Sequence, residues 1–305
     1  MSDDRFTRLD TRAVVLLLLC CALWGLNNVA TKFALIEVPP LMQAAFRSLG
    51  AALLLALWML ARGQRIWARD GTAAAGVLAG VLFAAEFGCM FVGLQYTAAS
   101  RMTVFVYLAP FVVALGMPLI AANERLSASQ ISGLALAFAG VVWAFAEGFG
   151  SSRAAPLQWL GDALGIAGGV LWGATTLLVR GSRLNLAPPQ KTLLYQLAVS
   201  AAALAAASFV AGESAPRSLH TSTVLAMTFQ TVVVTFASYL TWFWLMRHYP
   251  ATRVAAFTLL APVFGLIAGV ALLGEDLTTR IVTALLAVTV GMVLVNRPGQ
   301  RAQVA

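Results

Sequence analysis

The residues that could do chemistry in this chain are few, and most of them interrupt apolar runs. Glu86, in the stretch LFAAEFGCMF, is the one acid well inside such a run. Apolar surroundings disfavour a charged carboxylate, so Glu86 can carry a proton, meet an ammonium or hydrogen-bond a neighbouring helix. Arg47 lies several residues into another run and can hold a carboxylate or pair with Glu37 at its edge. The stretch ALWGLNNVATKFAL sets Asn27, Asn28 and Lys32 between oily flanks. Trp24, Asn28 and Lys32 recur at steps of four and share one helical face, while Asn27 points about 100° away and is free to tie helices together. Thr235, Tyr239 and Trp242 form a second face of hydroxyls and indole, able to cradle an apolar or aromatic group or simply to pack. Such groups recognise ligands and exchange protons. Bond-making chemistry lacks its parts: His220 and His248 fall in separate loops, and no Ser–His, His–Glu or paired-acid arrangement occurs within the runs. The chain is therefore expected not to be an enzyme. Cys20, Cys21 and Cys89 lie in apolar runs without ligand or disulfide spacing, so neither metal nor cofactor is expected.

The elements that position these groups follow from composition. Of 305 residues, 60% are hydrophobic and only 10% charged, which points to a polytopic all-α protein in a lipid bilayer. A span needs roughly 20 apolar residues. Cutting the chain at polar and Pro/Gly punctuation gives ten runs, near 13–36, 40–61, 72–94, 99–121, 128–146, 161–180, 190–211, 224–246, 252–273 and 279–296. The first is too long for a signal-peptide core, has no small-residue cleavage site and is expected to be retained. With the N-terminus inside, 14 basic residues fall on the inner side and Arg101, Arg153, Arg217 and Arg280 on the outer, as the positive-inside rule requires. Both termini are thus expected to be cytoplasmic. The basic excess belongs to topology, and no nucleic-acid partner is implied.

The chain also repeats itself. Leu23-Trp24-Gly25 returns as Leu171-Trp172-Gly173, Lys32 as Arg180, and Pro39-Pro40 as Pro188-Pro189. Arg101 matches Arg253, Leu108-Ala109-Pro110 matches Leu260-Ala261-Pro262, and Glu124 matches Glu275, at offsets drifting only from 148 to 152. An ordered series at one offset predicts two five-helix repeats, 1–146 and 161–305, joined by a 147–160 linker. Five is odd, so the second repeat is inverted, and the swapped charge of the first loop in each half agrees.

This arrangement resembles the drug/metabolite transporter superfamily, closest to its ten-helix EamA-type exporters. The residues carrying the likeness include Leu23-Trp24-Gly25 with Asn27 and Asn28, Tyr96–Ser100, Leu108–Phe111 and Asn123–Leu126 with their second-half echoes. The resemblance implies export of amino acids, metabolites or drugs across the bacterial inner membrane, with amino acids, aromatic or hydrophobic ones included, as the expected cargo. A multidrug or lipophilic-cation exporter is the alternative, and a nucleotide-sugar carrier fits less well because mid-membrane basic charge is thin. Inverted-repeat carriers bind near the midplane between their halves. The expected binding set is Trp24, Asn28, Arg47, Glu86, Tyr107, Trp172, Thr176, Tyr239 and Trp242, with Glu86 as candidate proton carrier. Lys32 and Arg180, late in equivalent spans, are expected to anchor at the two interfaces. Pro110 and Pro262 are expected to kink equivalent spans, statically or as gates. Gly76–Gly80, Gly161–Gly165–Gly169 and Gly265–Gly269 are expected to let helices pack closely. A monomer suffices for this scheme.

Overall fold

The computed structural model describes residues 10–64, 66, 70–120, 128–150, 157–216, 218–249 and 257–295. The Asn123–Leu126 motif, residues 151–156 of the linker, the start of the ninth predicted span and both extreme termini lie outside the described residues.

Every regular element among the described residues is helical. α1 (Thr11–Ala34) starts where the Asp10 carboxylate accepts from the Ala13 N–H at 2.7 Å, which caps its first turn. α2 (Pro40–Ala61) and α8 (Pro189–Val210) each begin on the second proline of a Pro-Pro pair, where the missing N–H costs nothing. The others are α3 (Ala73–Gly93), α4 (Ala99–Val106), α5 (Ala109–Ile120), α6 (Ala128–Gly150), α7 (Gln158–Gly181), α9 (Thr221–Thr228), α10 (Tyr239–His248), α11 (Ala261–Leu273) and α12 (Thr279–Val295). Among the described residues, seven helical stretches are long and apolar enough to cross a membrane, and shorter apolar helices occupy 128–144, 261–273 and 279–294. Large apolar side chains such as Leu53, Leu57, Leu60, Leu119 and Phe209 point outward, as a lipid-facing surface requires. The protein is a multi-pass membrane protein.

Two local expectations are corrected. Pro110 and Pro262 do not kink continuous helices. The fourth span breaks at Tyr107–Leu108 and restarts as α5 with Pro110 as its second residue. Thr258–Leu260 forms a 3-10 turn before α11, which carries Pro262 in its first turn. Proline disfavours helix at the preceding residue and is tolerated at a helix start, so a break upstream replaces a bend within. The eighth span is also not one α-helix: Phe229–Ser238, between α9 and α10, is π-helical, and the Thr235 hydroxyl donates to the Gln230 carbonyl five residues back at 2.8 Å.

Packing is reciprocal between the halves. α1 lies on α11, α7 lies on α4 and α5, α2 lies on α8, and α6 lies on α12. The glycine of each Leu-Trp-Gly sits at the first two of these crossings. A Cβ on Gly25 would fall 2.5 Å from the Gly265 nitrogen, and one on Gly173 would fall 2.5 Å from Val112 Cβ. Gly76 faces Tyr195 and Gly161 faces the Gly93 carbonyl in the same way, so the small-residue spacing does serve close approach. At Gly25 the obstacle is backbone, which cannot rotate aside. Gly25→Ala is therefore expected to cost about 1–3 kcal/mol and to lower the thermal midpoint of the purified protein. An unchanged midpoint would argue against this crossing.

Candidate functional site

A cavity of about 550 Å³ lies between the halves. Eight of the nine sequence-predicted binding residues line it: Trp24, Asn28, Glu86, Tyr107, Trp172, Thr176, Tyr239 and Trp242. α1 brings Trp24 and Asn28, α3 brings Glu86, the end of α4 brings Tyr107, α7 brings Trp172 and Thr176, and α10 brings Tyr239 and Trp242. The rings form two groups. Trp24 stands edge-on to Trp242 at 5.0 Å between centroids and to Tyr239 at 6.2 Å, while Tyr107 and Trp172 meet edge-to-face at 5.5 Å. The Trp24 indole N–H donates to Ser238 Oγ at 2.8 Å, and that hydroxyl donates to the Val234 carbonyl, which locks the ring. Asn28 donates to Thr103 Oγ1 at 2.8 Å. Asn27 lines the cavity too, with its Oδ1 unpartnered. Glu86 is buried, with Oε2 unpartnered at the cavity wall.

Arg47 is the exception. It is 0% exposed, lies outside the lining, and stacks its guanidinium 3.8 Å from the centroid of Phe87. Nor does it pair with Glu37, whose carboxylate is taken by His220. An arginine so far along α2 is too distant from the loop to reach a residue beyond Pro39.

At one end the cavity lining includes exposed residues, which form a mouth. Arg180, Leu184, Asn185, Ala187 and Pro189 line that mouth, so Arg180 is part of the entrance as well as the end of its helix. The other end is sealed by contacts across the halves. The Glu275 carboxylate accepts from the N–H groups of Ala99 and Ser100 at 2.7 and 3.0 Å and lies 3.8 Å from Lys32 Nζ. Lys32, expected to anchor at the interface, is thus part of the seal. Glu213 accepts from the N–H groups of Leu41 and Met42 at 3.0 and 2.8 Å. Arg101 and Asp162, nearly and fully buried, pair at 2.6 Å. Sequence reasoning missed Glu213 and Asp162, and knew Glu275 only as the repeat match of Glu124, because it sought polar groups inside spans and these stand at span ends.

Glu37 and His220 make a further contact at the sealed end. Hydrogen bonds from Thr223 and His220 push the Glu37 carboxyl from its usual 4.5 down to about 2, and Glu37 in turn pushes the imidazole above its usual 6.5. A lowered acid stabilises above its ordinary value and loses that contribution as pH falls through about 2; a raised base stabilises below its ordinary value and loses it as pH rises. The contact is at full strength between pH 4.5 and 6.5. His220→Ala is expected to flatten a small maximum in thermal midpoint over that window; because His220 is exposed, the effect shrinks in high salt.

The family model for EamA-like transporters matches residues 11–146 and again 159–297. The chain belongs to the EamA-like transporter family. The transporter is 26% identical over 274 residues to a probable amino-acid metabolite efflux pump of Escherichia coli K12, covering 87% of this chain and 88% of that one. It is 26% identical over 288 residues to the transporter YvbV of Bacillus subtilis 168, described there as uncharacterized, covering 94% and 92%. A crystal structure with 19% identity superposes at a TM-score of 0.64, covering 93% of this chain and 97% of its own, which shows the shared fold. A transporter of this family takes a small-molecule substrate while embedded in the bilayer.

Proposed function

We propose that the transporter exports amino acids, aromatic or hydrophobic ones included, across the bacterial inner membrane by alternating access. The observation that carries this is the cavity wall. Seven aromatic rings surround a space large enough for one such molecule, and Glu86 offers a single carboxylate to an ammonium. The names given to the Escherichia coli and Salmonella relatives, amino-acid metabolite efflux pumps, support the same cargo. The finer architecture belongs to this reading: ten spans in two inverted five-helix repeats with cytoplasmic termini, supported by the twofold match of the family model and the reciprocal packing. The open mouth then faces the cytoplasm.

The test is flux in proteoliposomes with labelled phenylalanine, leucine and a lipophilic cationic dye, with and without a pH gradient. Amino-acid flux, accelerated by the gradient in wild type and indifferent to it in Glu86→Gln, is expected. Dye flux with no amino-acid flux would overturn the cargo in favour of a lipophilic-cation exporter. Flux indifferent to the gradient in both proteins would remove Glu86 as proton carrier.

A further inference from the structure

A folded interior pairs its polar groups, and each unpaired one asks for a reason. Apart from Glu86 Oε2, the buried side-chain polar atoms without a partner among the described residues belong to Asn27, Gln43, Arg47, Ser48 and Gln230. All lie on α1, α2 and the π-helical stretch. Arg47 leaves Nε and both terminal nitrogens unbonded. The Thr31 hydroxyl donates to the Asn27 carbonyl at 2.8 Å and Gln43 Nε2 to the Thr31 carbonyl at 3.2 Å, while Gln230 Oε1 is approached only at 3.3 Å by each of them. This layer sits between the central cavity, which Asn27 also lines, and the sealed end held by Lys32 and Glu275.

The open end of the cavity shows what the layer corresponds to. Thr192 and Gln196 follow Gln43 and Arg47 by 149 residues, Arg180 follows Lys32 by 148, and Thr176 follows Asn28 by 148. All four second-half residues line the open cavity. The third wall of that opening is α3, through Phe83, Glu86 and Phe87, and its second-half counterpart is the span carrying Gln230, Val234 and Ser238. The three helices that frame the open vestibule thus have their repeat counterparts in the three that enclose the unpaired layer.

We propose that the layer formed by Asn27, Thr31, Gln43, Arg47 and Gln230 is a collapsed exit vestibule, and that Arg47 receives the ligand's carboxylate there. In the opposite state α1, α2 and the π-helical span part, and the unpaired groups gain ligand or water. The two layers differ at matched depth: the entrance carries the neutral amide of Gln196 where the exit carries the guanidinium of Arg47, so a carboxylate at that depth meets a cation only in the exit state. The proposal rests on the alternating-access reading above.

The test places single cysteines, in a background with Cys20, Cys21 and Cys89 replaced by alanine, into membrane vesicles of both orientations. The probe is a bulky, charged, membrane-impermeant maleimide. Ile36→Cys reports the sealed face and Leu186→Cys the open face, since both side chains are exposed. Gln43→Cys and Thr31→Cys are expected to label from the Ile36 face, on the order of ten-fold faster than Leu55→Cys in the core of the same bundle. Thr192→Cys is expected to label from the Leu186 face. Labelling of Thr192→Cys with none at Gln43→Cys or Thr31→Cys in transport-competent protein overturns the exit and leaves the cavity standing; a layer that holds only trapped water gives this result. Labelling at neither vestibule overturns the cavity reading itself. For the ligand chemistry, Arg47→Gln is expected to weaken competition by amino acids and leave that by their decarboxylated amines unchanged. Equal loss for both would remove the carboxylate role while keeping the exit.

Discussion

Asp162→Ala is expected to destabilise the transporter by about 3–5 kcal/mol, since it removes the carboxylate from a buried ion pair. Arg101 donates to Asp162 through Nε at 3.2 Å and through a terminal nitrogen at 2.6 Å, and the same nitrogen donates to the Ala144 carbonyl at 2.6 Å. The Thr97 hydroxyl also donates to that carboxylate, at 2.6 Å. The network joins α7 to the start of α4, with α6 contributing the carbonyl, so its loss loosens three helices together. Thermal unfolding in detergent should show a large drop in midpoint. Asp162→Asn, which keeps the shape and one acceptor, should fall between it and wild type. A midpoint within a degree or two of wild type for the alanine variant would mean that the pair contributes little.

Arg47→Met should do the opposite. Removing a buried cation that makes no hydrogen bond relieves a penalty, and a well-packed apolar replacement is worth about 1–4 kcal/mol of stability in such settings. Loss of the stack on Phe87 returns about 0.5–2 kcal/mol of that. The net expectation is a protein that melts higher and transports little. That combination separates function from folding, because a residue kept for stability alone would melt lower when replaced. A lower midpoint with normal flux would contradict an idle charge held for the transport cycle.

Much of this was legible before any coordinates. Trp24, Asn28, Glu86 and Trp172 could be assigned to one cavity because intramembrane polar and aromatic residues at helical spacing have few other places to go. Lys32 and Arg47 were harder, since a long cationic side chain can reach in several directions from one backbone position. The choice is made by neighbours distant in sequence: Glu275 for Lys32 and Phe87 for Arg47. The helix break before Pro110 was only half visible. Proline announces a disturbance, but whether the chain bends or restarts depends on what packs against it, here the crossing of α7 at Gly173. The π-helical stretch has no sequence signature of its own.

Glu213 and Glu275 have a consequence for how the protein is made. The N–H groups at the starts of α2 and α4 belong to the first half, and the carboxylates that satisfy them lie more than 170 residues downstream. Until Glu213 and Glu275 have been made, those helix ends have only water to satisfy them, and the late half replaces that water with fixed carboxylates as it packs. A first half expressed alone is therefore expected to be less stable than the same half within the full chain.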